Sequence, residues 1–364
     1  MIAIVLGTRP EIIKMCPVVR ECQKRGVEHF VLHTGQHYSY DMDKVFFDEL
    51  ELPEPRHKLE VGSGLHGEQT GKMLAGIEKV LLEERPDVVL VQGDTNTVLA
   101  GALAASKLGV KVGHVEAGLR CYDRTMPEEI NRVLADHVSD LLFVPTEMAR
   151  QHLAREGIAK GVYRTGNTVV DAVRQNLDLA ERKSNVLHRL GLEDEHYLVA
   201  TAHRQENVDD RGRLEGMIKG MQRLSEELRM SLVFPAHPRT RKRMEEFGMG
   251  AEGILVTEPL GYLDFLMLEA NARLILTDSG GVQEEACILH VPCVTMRRST
   301  ERPETLAVKA NLLAGTDPKA ILEMARRQMR ARRRWRNPFG DGRAAERIVA
   351  RCIRVRRRSP ESSS

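Results

Sequence analysis

Short apolar runs alternate with longer amphipathic segments along the chain, and this pattern predicts alternating strands and helices. The apolar runs predict strands at 2–6, 29–33, 87–91, 110–115 and 141–144 in the first half and at 197–202, 232–235, 254–256, 274–277 and 293–295 in the second. The segments between them predict helices, for example at 10–24, 67–84, 97–108, 127–138, 211–229 and 282–289. Because strand–helix alternation builds parallel sheets with crossover helices, the predicted fold class is α/β.

The length of the chain predicts two domains. Its 364 residues exceed the size, about 250–300 residues, at which a single hydrophobic core stops growing. The most polar interruption of the pattern lies at residues 176–195 and predicts the inter-domain connection. We therefore predict two similar doubly wound domains, 1–175 and 176–340, that face each other across a central cleft.

Composition excludes several classes of protein. The 54 lysine and arginine residues nearly balance the 52 aspartate and glutamate residues, so nucleic-acid binding is not expected. Six cysteines without CxxC spacing predict reduced thiols and no disulfide frame. The apolar run at the N-terminus is too short for a signal peptide, and no run is long enough to span a membrane, so we expect a cytoplasmic protein without a membrane partner. The basic runs at 332–336 and 354–358 are typical of a solvated last helix and tail.

Charged residues follow several strands of the first half, where open α/β sheets bind their ligands. Asp94, Glu116 and Glu128 form a predicted carboxylate cluster, in which crowding would raise a pKa into the range of a general acid. Helix N-capping is the alternative for Asp94. Arg9 and Lys14 lie near a helix start that can bind an anion, and a surface ion pair is the alternative for Arg9.

The second half carries the stronger phosphate signal. Ser279, Gly280 and Gly281 lead from a strand into a helix, so that backbone N–H groups can contact a diphosphate. Arg302 can bind the same phosphates in a bidentate manner. His203 follows the first strand of this half and can neutralise phosphate or move a proton; a capping or packing role is its alternative.

Nine motifs, in order from residue 7 to about residue 305, together resemble the non-hydrolysing UDP-N-acetylglucosamine 2-epimerases of archaea and bacteria. They read GTRPEIIK, TGQH, QGDTNT, HVEAGLR, MPEEINR, GNTVVD, HRQEN, TDSGGVQEEA and MRRSTERPE. The resemblance implies a glycosyltransferase-B-like pair of Rossmann-like domains, a C-terminal helix within 341–364 that packs back on the first domain, and a homodimer. It implies reversible C2 epimerisation of UDP-N-acetylglucosamine through elimination of UDP, with no NAD or metal cofactor, for surface polysaccharide synthesis.

The resemblance also assigns roles to individual residues of this chain. The catalytic residues it implies are Asp94, Glu116, Glu128 and His203. The UDP-sugar contacts it implies are Arg9, Lys14, Arg132, Phe265, Ser279, Gly280, Gly281, Glu285 and Arg302. A second UDP-sugar activates bacterial members, and the matching residues are Gln36, His37, Arg204 and His237. Residues 66–72 depart from the bacterial pattern there, which leaves this activation open.

Four other functions share the predicted fold. A hydrolysing 2-epimerase would release free N-acetylmannosamine and UDP. A 2-epimerase for a modified UDP-sugar, such as a diacetamido uronic acid, would need a basic group near C6 of the sugar. A glycosyltransferase would consume UDP-sugar only when an acceptor is present, and a silent regulator would bind UDP-sugar without turnover. The unbroken spacing between HVEAGLR and MPEEINR favours the non-hydrolysing epimerase.

Overall fold

The computed structural model describes residues 1–36, 40–193 and 196–356, which form two compact units. Unit 1 contains residues 1–175 and the described residues from 339 onward, and unit 2 contains Asn176–Pro338. Each unit is built around one sheet of parallel strands. Within the described ranges, no helix is both long enough and apolar enough to cross a membrane.

The two sheets share one strand order. The strands of unit 1 are β1 (Ile2–Leu6), β2 (His29–His33), β3 (His57–Lys58), β4 (Val88–Gln92), β5 (Lys111–Val115), β6 (Leu141–Val144) and β7 (Val162–Arg164), paired as β3-β2-β1-β4-β5-β6-β7. Those of unit 2 are β8 (Tyr197–Thr201), β9 (Ser231–Pro235), β10 (Ile254–Thr257), β11 (Leu274–Thr277), β12 (Cys293–Thr295) and β13 (Asn311–Leu313), paired as β10-β9-β8-β11-β12-β13. The order reverses between β1 and β4 and between β8 and β11, and such switch points are where these sheets bind ligands.

Helices connect the strands, and polar caps fix where several of them begin. The helices are α1 (Arg9–Lys24), α2 (Tyr40–Glu49), α3 (His66–Glu84), α4 (Asn96–Lys107), α5 (Pro127–Val138), α6 (Glu147–Arg155), α7 (Thr168–Lys183), α8 (Val186–Arg189), α9 (Gln205–Val208), α10 (Arg211–Leu228), α11 (Pro238–Glu246), α12 (Tyr262–Asn271), α13 (Gly280–Ile288), α14 (Pro303–Ala307), α15 (Pro318–Arg330) and α16 (Ala344–Arg356). N-cap residues whose side chains accept a hydrogen bond from the first turn of their own helix include Thr95, Thr146, Asp210, His237 and Asp317.

The central strands supply the core of each unit. Every residue of β1 and β4 is buried, and Ile4 of β1 is in register with Val31 of β2 and Leu90 of β4. Apolar residues of the sheet pack with α3 and α4 in unit 1 and with α10 and α15 in unit 2. This burial on both faces explains why the central strands read as continuous apolar runs.

The predicted α/β class with two doubly wound parallel sheets is confirmed. All ten predicted strands are present, with ends that shift by one residue at most. Strands β3, β7 and β13 were not predicted. Each lies at the edge of its sheet and is only partly buried, so it lacks the continuous apolar run of a central strand.

The predicted connection at 176–195 begins at the boundary between the two units, and most of it is helical. Helix α7 runs from Thr168 to Lys183 and passes through the boundary between units 1 and 2 at residues 175 and 176. The polar residues Asp178, Glu181, Arg182 and Lys183 of this helix are exposed. Unit 2 ends at Pro338, before the predicted boundary at 340.

The last described helix belongs to unit 1. Helix α16 packs against α1 within this unit. The Asp171 carboxylate of α7 accepts hydrogen bonds from the backbone N–H groups of Ala344 and Ala345, at 3.2 and 2.9 Å. Because these N–H groups lie at the start of α16 and have no intrahelical partner, the carboxylate caps the helix.

Candidate active site

The turn after β4 holds Asp94 beside an arginine. Gly93 has a φ of 86°, which is the left-handed region, and it turns the chain out of the strand. The Asp94 side chain is one-third exposed, and its carboxylate accepts a hydrogen bond of 2.5 Å from Nη2 of Arg132. The alternative role of Asp94 as helix cap is wrong, because Thr95 is the N-cap of α4 and accepts from the N–H of Val98.

The turn after β5 holds Glu116 in a strained conformation. Its φ is 71°, which costs energy for a residue with a Cβ. Its buried carboxylate accepts hydrogen bonds from Lys14 Nζ, at 2.8 Å to both oxygens, from Gln92 Nε2, and from Asn167 Nδ2 at 3.3 Å. Strands β4 and β5 are neighbours, so the turns that carry Asp94 and Glu116 lie side by side.

Helix α5 presents two adjacent glutamates in different environments. Glu128 is exposed, whereas Glu129 is buried and accepts from the N–H groups of Cys121 and Tyr122 at 3.1 and 3.0 Å. Burial raises the pKa of Glu129, but these hydrogen bonds outweigh it and the pKa lies below its usual range. Arg132 also donates to Glu129, at 3.0 Å, and therefore links it to Asp94.

These contacts give the carboxylates cationic partners. Asp94 is paired with Arg132, and Glu116 is paired with Lys14. The sequence predicts a cluster in which the carboxylates crowd one another. The structure places Asp94 and Glu116 on neighbouring turns but joins each to its own cation, and Glu128 is exposed on the helix that carries Arg132.

The start of α1 contains a buried carboxyl that the sequence analysis did not single out. Glu11 accepts from the N–H groups of Gly7 and Thr8, at 2.6 and 2.9 Å, and from the hydroxyl of Thr95. Burial raises its pKa to about 7, against the opposing effect of these hydrogen bonds. Arg9 is exposed, and its guanidinium lies 4.9 Å from the ring centroid of Phe46.

In unit 2, one buried aspartate organises the turns after β8 and β11. Asp278 accepts from the backbone N–H groups of His203 and Arg204, at 3.1 and 3.0 Å, and from Asn207 Nδ2 at 3.1 Å. Burial raises its pKa, but the hydrogen bonds and the His203 ring outweigh burial and lower it. The His203 ring is 43% exposed with Nδ1 at 3.2 Å from Asp278, so it can still contact a ligand.

The start of α13 has the features of an anion site. Ser279 is the N-cap, yet its hydroxyl makes no capping hydrogen bond. Its backbone N–H donates to the Thr277 hydroxyl at 2.9 Å. Gly280 and Gly281 form the first turn, and a Cβ at either position would meet nothing closer than 3.6 Å. The N–H groups of this turn have no intrahelical partner, so the close approach of a phosphate can satisfy them.

The other predicted contacts of unit 2 lie on elements around this turn. Arg302 Nε is 2.8 Å from the buried Glu284 carboxylate, which holds the guanidinium in place. Glu285 is half-buried on α13, one turn from the helix start. Phe265 is half-buried on α12 and packs against the apolar cluster on one face of the sheet.

Three of the four predicted residues of a second UDP-sugar site are described, and His37 lies outside the described residues. The Gln36 side chain is buried and accepts from the N–H and hydroxyl of Thr97. His237 is the N-cap of α11, and burial, with the nearby His203 and Arg239, lowers its pKa. Arg204 Nη2 is 3.5 Å from Glu301. Gln36 therefore has a structural contact, and the allosteric role of all four stays a prediction.

No group of three or more His, Cys, Asp or Glu side chains among residues 1–36, 40–193 and 196–356 is arranged to hold a metal ion. Most of the buried partners at the site were missed by sequence analysis, namely Glu11, Gln92, His114, Glu129, Asp136, Asn167 and Asp278. One signal was available. A histidine within the apolar run of β5 predicts a buried polar group, and buried polar groups need partners.

The chain matches known proteins over nearly its whole length. A family model described as UDP-N-acetylglucosamine 2-epimerase matches residues 20–352. The UDP-N-acetylglucosamine 2-epimerase of Methanocaldococcus jannaschii is 54% identical over 357 residues, which are 96% of this chain and 97% of that protein. A UDP-2,3-diacetamido-2,3-dideoxy-D-glucuronate 2-epimerase of Pseudomonas aeruginosa is 40% identical, over 95% of this chain and 97% of that protein.

Solved structures agree with this result. The M. jannaschii enzyme in complex with UDP-GlcNAc and UDP matches with a TM-score of 0.87 and 54% identity, over 97% of this chain and 99% of that one. A Neisseria meningitidis UDP-GlcNAc 2-epimerase bound to UDP-GlcNAc matches with a TM-score of 0.88 and 32% identity, over 97% of this chain and 99% of that one. The chain belongs to the UDP-N-acetylglucosamine 2-epimerase family.

Proposed function

We propose that this protein interconverts UDP-N-acetylglucosamine and UDP-N-acetylmannosamine by inverting C2 without hydrolysis. The observation that carries the proposal is the M. jannaschii relative, 54% identical, whose structure contains UDP-GlcNAc and UDP. The paired carboxylates of unit 1 and the helix start of unit 2 supply the chemistry that such a reaction needs. Its product would serve surface polysaccharide synthesis.

The proposed reaction is an elimination followed by re-addition. A carboxylate of unit 1 removes the C2 proton, and the electron pair of the C2–H bond forms a C1–C2 double bond. The C1–O bond breaks, and its electron pair leaves with the β-phosphate oxygen of UDP. The 2-acetamidoglucal that results is planar at C2, so reprotonation on the other face and re-addition of UDP give the epimer.

Asp94, Glu116 and Glu128 are the proposed proton-transfer and sugar-holding groups. Asp94 and Glu116 lie on adjacent turns. Each carboxylate is held by a cation within hydrogen-bond distance, Asp94 by Arg132 and Glu116 by Lys14. Glu128 is exposed at the start of α5, where it is free to contact a sugar. Buried Nε of Arg132 has no hydrogen-bond partner among the described residues, so a donor is available beside Asp94.

Unit 2 is proposed to bind UDP and to stabilise its departure. Elimination places negative charge on the diphosphate, so fixed donors that contact it lower the barrier. The proposed donors are the N–H groups of Gly280 and Gly281, the Ser279 hydroxyl, Arg302 and the exposed ring of His203. Arg9 and Lys14 of unit 1, with Glu285 and Phe265 of unit 2, are the remaining proposed substrate contacts.

Proton NMR of the purified protein with UDP-N-acetylglucosamine in D2O tests the proposal, with no NAD, metal or acceptor added. The expected result is UDP-N-acetylmannosamine that carries deuterium at C2. Free N-acetylmannosamine with UDP would instead identify a hydrolysing enzyme. A substrate that stays unchanged over the time course would contradict the proposed substrate.

A modified UDP-sugar is the second candidate substrate. It is favoured by the 40% identity to the P. aeruginosa 2-epimerase that is named for a diacetamido glucuronate. The same NMR assay with that UDP-uronate decides between the two. Turnover of the uronate alone would favour this candidate, whereas turnover of UDP-N-acetylglucosamine alone would exclude it.

Activation by a second UDP-sugar follows from the proposal as a further test. Gln36, His37, Arg204 and His237 are the proposed contacts. Initial rates measured against UDP-N-acetylglucosamine should be sigmoidal if that site operates and hyperbolic if residues 66–72 have removed it. Sedimentation of the same protein tests the homodimer that the family resemblance implies.

A further inference from the structure

His114 lies inside the sheet of unit 1 and is completely buried. Its Nδ1 is 2.7 Å from the Asp136 carboxylate of α5, and its Nε2 is 2.8 Å from the backbone oxygen of Gly93. A backbone carbonyl only accepts hydrogen bonds, and an ionised carboxylate also only accepts. Both ring nitrogens must therefore donate, and the ring is an imidazolium.

Asp136 is ionised because cationic and backbone donors surround it. Arg120 Nη1 is 2.7 Å from its carboxylate, and the Gly118 N–H donates to it at 3.1 Å. Burial raises the pKa of Asp136, but His114 and Arg120 outweigh burial and lower it. Burial alone would lower the pKa of His114. The charge of Asp136, the two hydrogen bonds and the charge of Asp94 outweigh burial, so the pKa is raised above its ordinary value.

The charges of this cluster balance. Arg120 also donates to both oxygens of Glu156, at 2.7 and 2.6 Å. His114 and Arg120 thus contribute two positive charges, and Asp136 and Glu156 contribute two negative charges. The side chains of His114, Arg120 and Asp136 are at most 1% exposed, so each charge needs its partner to offset the loss of hydration. His114, Arg120, Asp136 and Glu156 thus form a charge cluster.

The charge cluster holds both turns that carry the proposed proton-transfer groups. Gly93, whose carbonyl accepts from His114, directly precedes Asp94. Gly118, whose N–H donates to Asp136, follows Glu116 by two residues. Gly118 has a φ of 79°, and a Cβ there would lie 2.4 Å from the Ala149 carbonyl oxygen. Only glycine fits this position, so the backbone of the turn is packed closely against α6.

We propose that His114 is a positioning residue, a constantly protonated imidazolium that, with Asp136, fixes the turns of Asp94 and Glu116 for proton transfer at C2. The proposal rests on the epimerase function proposed above. A neutral ring would lose a donor to either Asp136 or Gly93. The Gly93–Asp94 turn would then relax, and an error of about 1 Å in a reacting group costs on the order of 100-fold in rate.

The test compares His114→Gln with wild type and with His29→Gln. A glutamine amide has a single donor nitrogen, and its oxygen would face the other acceptor, so it cannot donate to both Asp136 and Gly93 as an imidazolium does. His29, at the start of β2, donates from Nδ1 to the Val27 carbonyl oxygen at 2.8 Å. It lies at the amino end of its strand, whereas both turns lie at carboxyl ends of strands, so it serves as a control. We expect kcat of His114→Gln to fall about 10- to 100-fold, with KM and the Kd for UDP unchanged. His29→Gln should keep wild-type kinetics.

Two results would overturn the proposal. One is a wild-type kcat for a folded His114→Gln protein. The other is a fall in kcat matched by an equal rise in KM and in the Kd for UDP, which would indicate general loss of structure. Wild-type protein that is inactive would instead count against the epimerase function alone.

Nitrogen NMR of the histidine rings in wild-type protein tests the charge without any variant. We expect both nitrogens of His114 to stay protonated at about pH 8, where an ordinary histidine is neutral. A neutral tautomer of His114 at that pH would overturn the proposal. This measurement needs no substrate, so it distinguishes failure of the positioning role from failure of the proposed reaction.

Discussion

Asp94 and Asp278 occupy the same place in their units, but their environments differ. Each follows the fourth strand of its sheet, β4 or β11, at the switch point. Asp94 is one-third exposed and paired with Arg132, whereas Asp278 is fully buried and is satisfied mainly by neutral donors. In unit 2, Asp278 is the buried carboxylate that accepts hydrogen bonds from the backbone of a neighbouring turn. In unit 1, the buried carboxylate with such contacts is Asp136, which lies on helix α5.

Of these two aspartates, only Asp94 is proposed to react. A partly exposed carboxylate can contact a substrate, whereas Asp278 is enclosed by its donors and held in its ionised form. In unit 1, Asp136 accepts the hydrogen bonds that hold the turns, and Asp94 is the proposed reactive group. In unit 2, Asp278 holds the turns, and the proposed ligand contacts are His203 and the start of α13.

The largest expected effect is on turnover. Asp94→Asn, Glu116→Gln and Glu128→Gln should each lower kcat by about 10²- to 10⁴-fold, because each removes a proposed proton-transfer or sugar-holding carboxylate. UDP binding should be largely unchanged, since the proposed diphosphate contacts lie mainly in unit 2. NMR turnover and calorimetric titration with UDP measure the two quantities. Near wild-type rates in all three variants would refute the assignment of the carboxylates.

The second effect concerns the two buried aspartates. Asp136→Asn should lower the free energy of unfolding by about 3–5 kcal/mol, because it leaves the buried His114 without its anion and Arg120 with Glu156 alone. Asp278→Asn should cost less, about 1–3 kcal/mol, because mainly hydrogen bonds are lost. Urea unfolding measures both.

A matched control for Asp136→Asn is Asp140→Asn. Asp140 is paired with Lys111 at 2.6 Å, at the exposed start of β5. A partly exposed pair of this kind contributes about 1 kcal/mol or less. If Asp136→Asn cost no more than Asp140→Asn, the buried charges would not depend on one another.

The third effect is on the pH dependence of stability and involves Glu11. Its pKa is raised to about 7 in the folded protein, from 4.5. Between these values the unfolded chain loses its proton first, so Glu11 makes the protein less stable as pH rises from 4.5 to 7 and has a constant effect above 7. The decrease should be roughly 3 kcal/mol at most.

Glu11→Gln is the variant that isolates this effect. Glutamine keeps an oxygen for the N–H groups of Gly7 and Thr8 and cannot ionise. Unfolding should be measured from pH 5 to 8 for both proteins. Parallel curves for Glu11→Gln and wild type would show that Glu11 does not titrate in this range.

The smallest effect distinguishes a ligand site from a simple helix start. Gly281→Ala has room for its methyl group and replaces glycine in the first turn of α13, so stability should stay equal or rise by about 0.5–1 kcal/mol. UDP binding should weaken, because the methyl group keeps a phosphate from the N–H groups. Thermal unfolding measures the stability of the variant, and calorimetric titration measures its affinity for UDP. Unchanged UDP affinity would place the diphosphate elsewhere.

The sequence was sufficient for what depends on local pattern. Apolar runs located the ten strands that are mostly central, and the motifs located Asp94, Glu116, Ser279 and Arg302 at strand ends and helix starts. It was insufficient where partners are distant in the chain. His114 and Asp136 are 22 residues apart on a strand and a helix, and no local pattern joins them. The helices within the predicted connection were not anticipated, because an exposed helical face and a linker have the same polar composition.

The continuous helix α7 has a practical consequence for dividing this protein into fragments. Proteases cut exposed loop tips, where the backbone can enter their active sites, and a hydrogen-bonded helix resists this. The boundary at residues 175 and 176 lies inside α7, so limited digestion should leave that position intact. A gene fragment that ends there would also truncate the helix that supplies Asp171, the cap of α16. Unit 1 also includes the residues from 339 onward, so its expression on its own calls for a chain that retains α7 through Lys183 and joins it to the segment that contains α16.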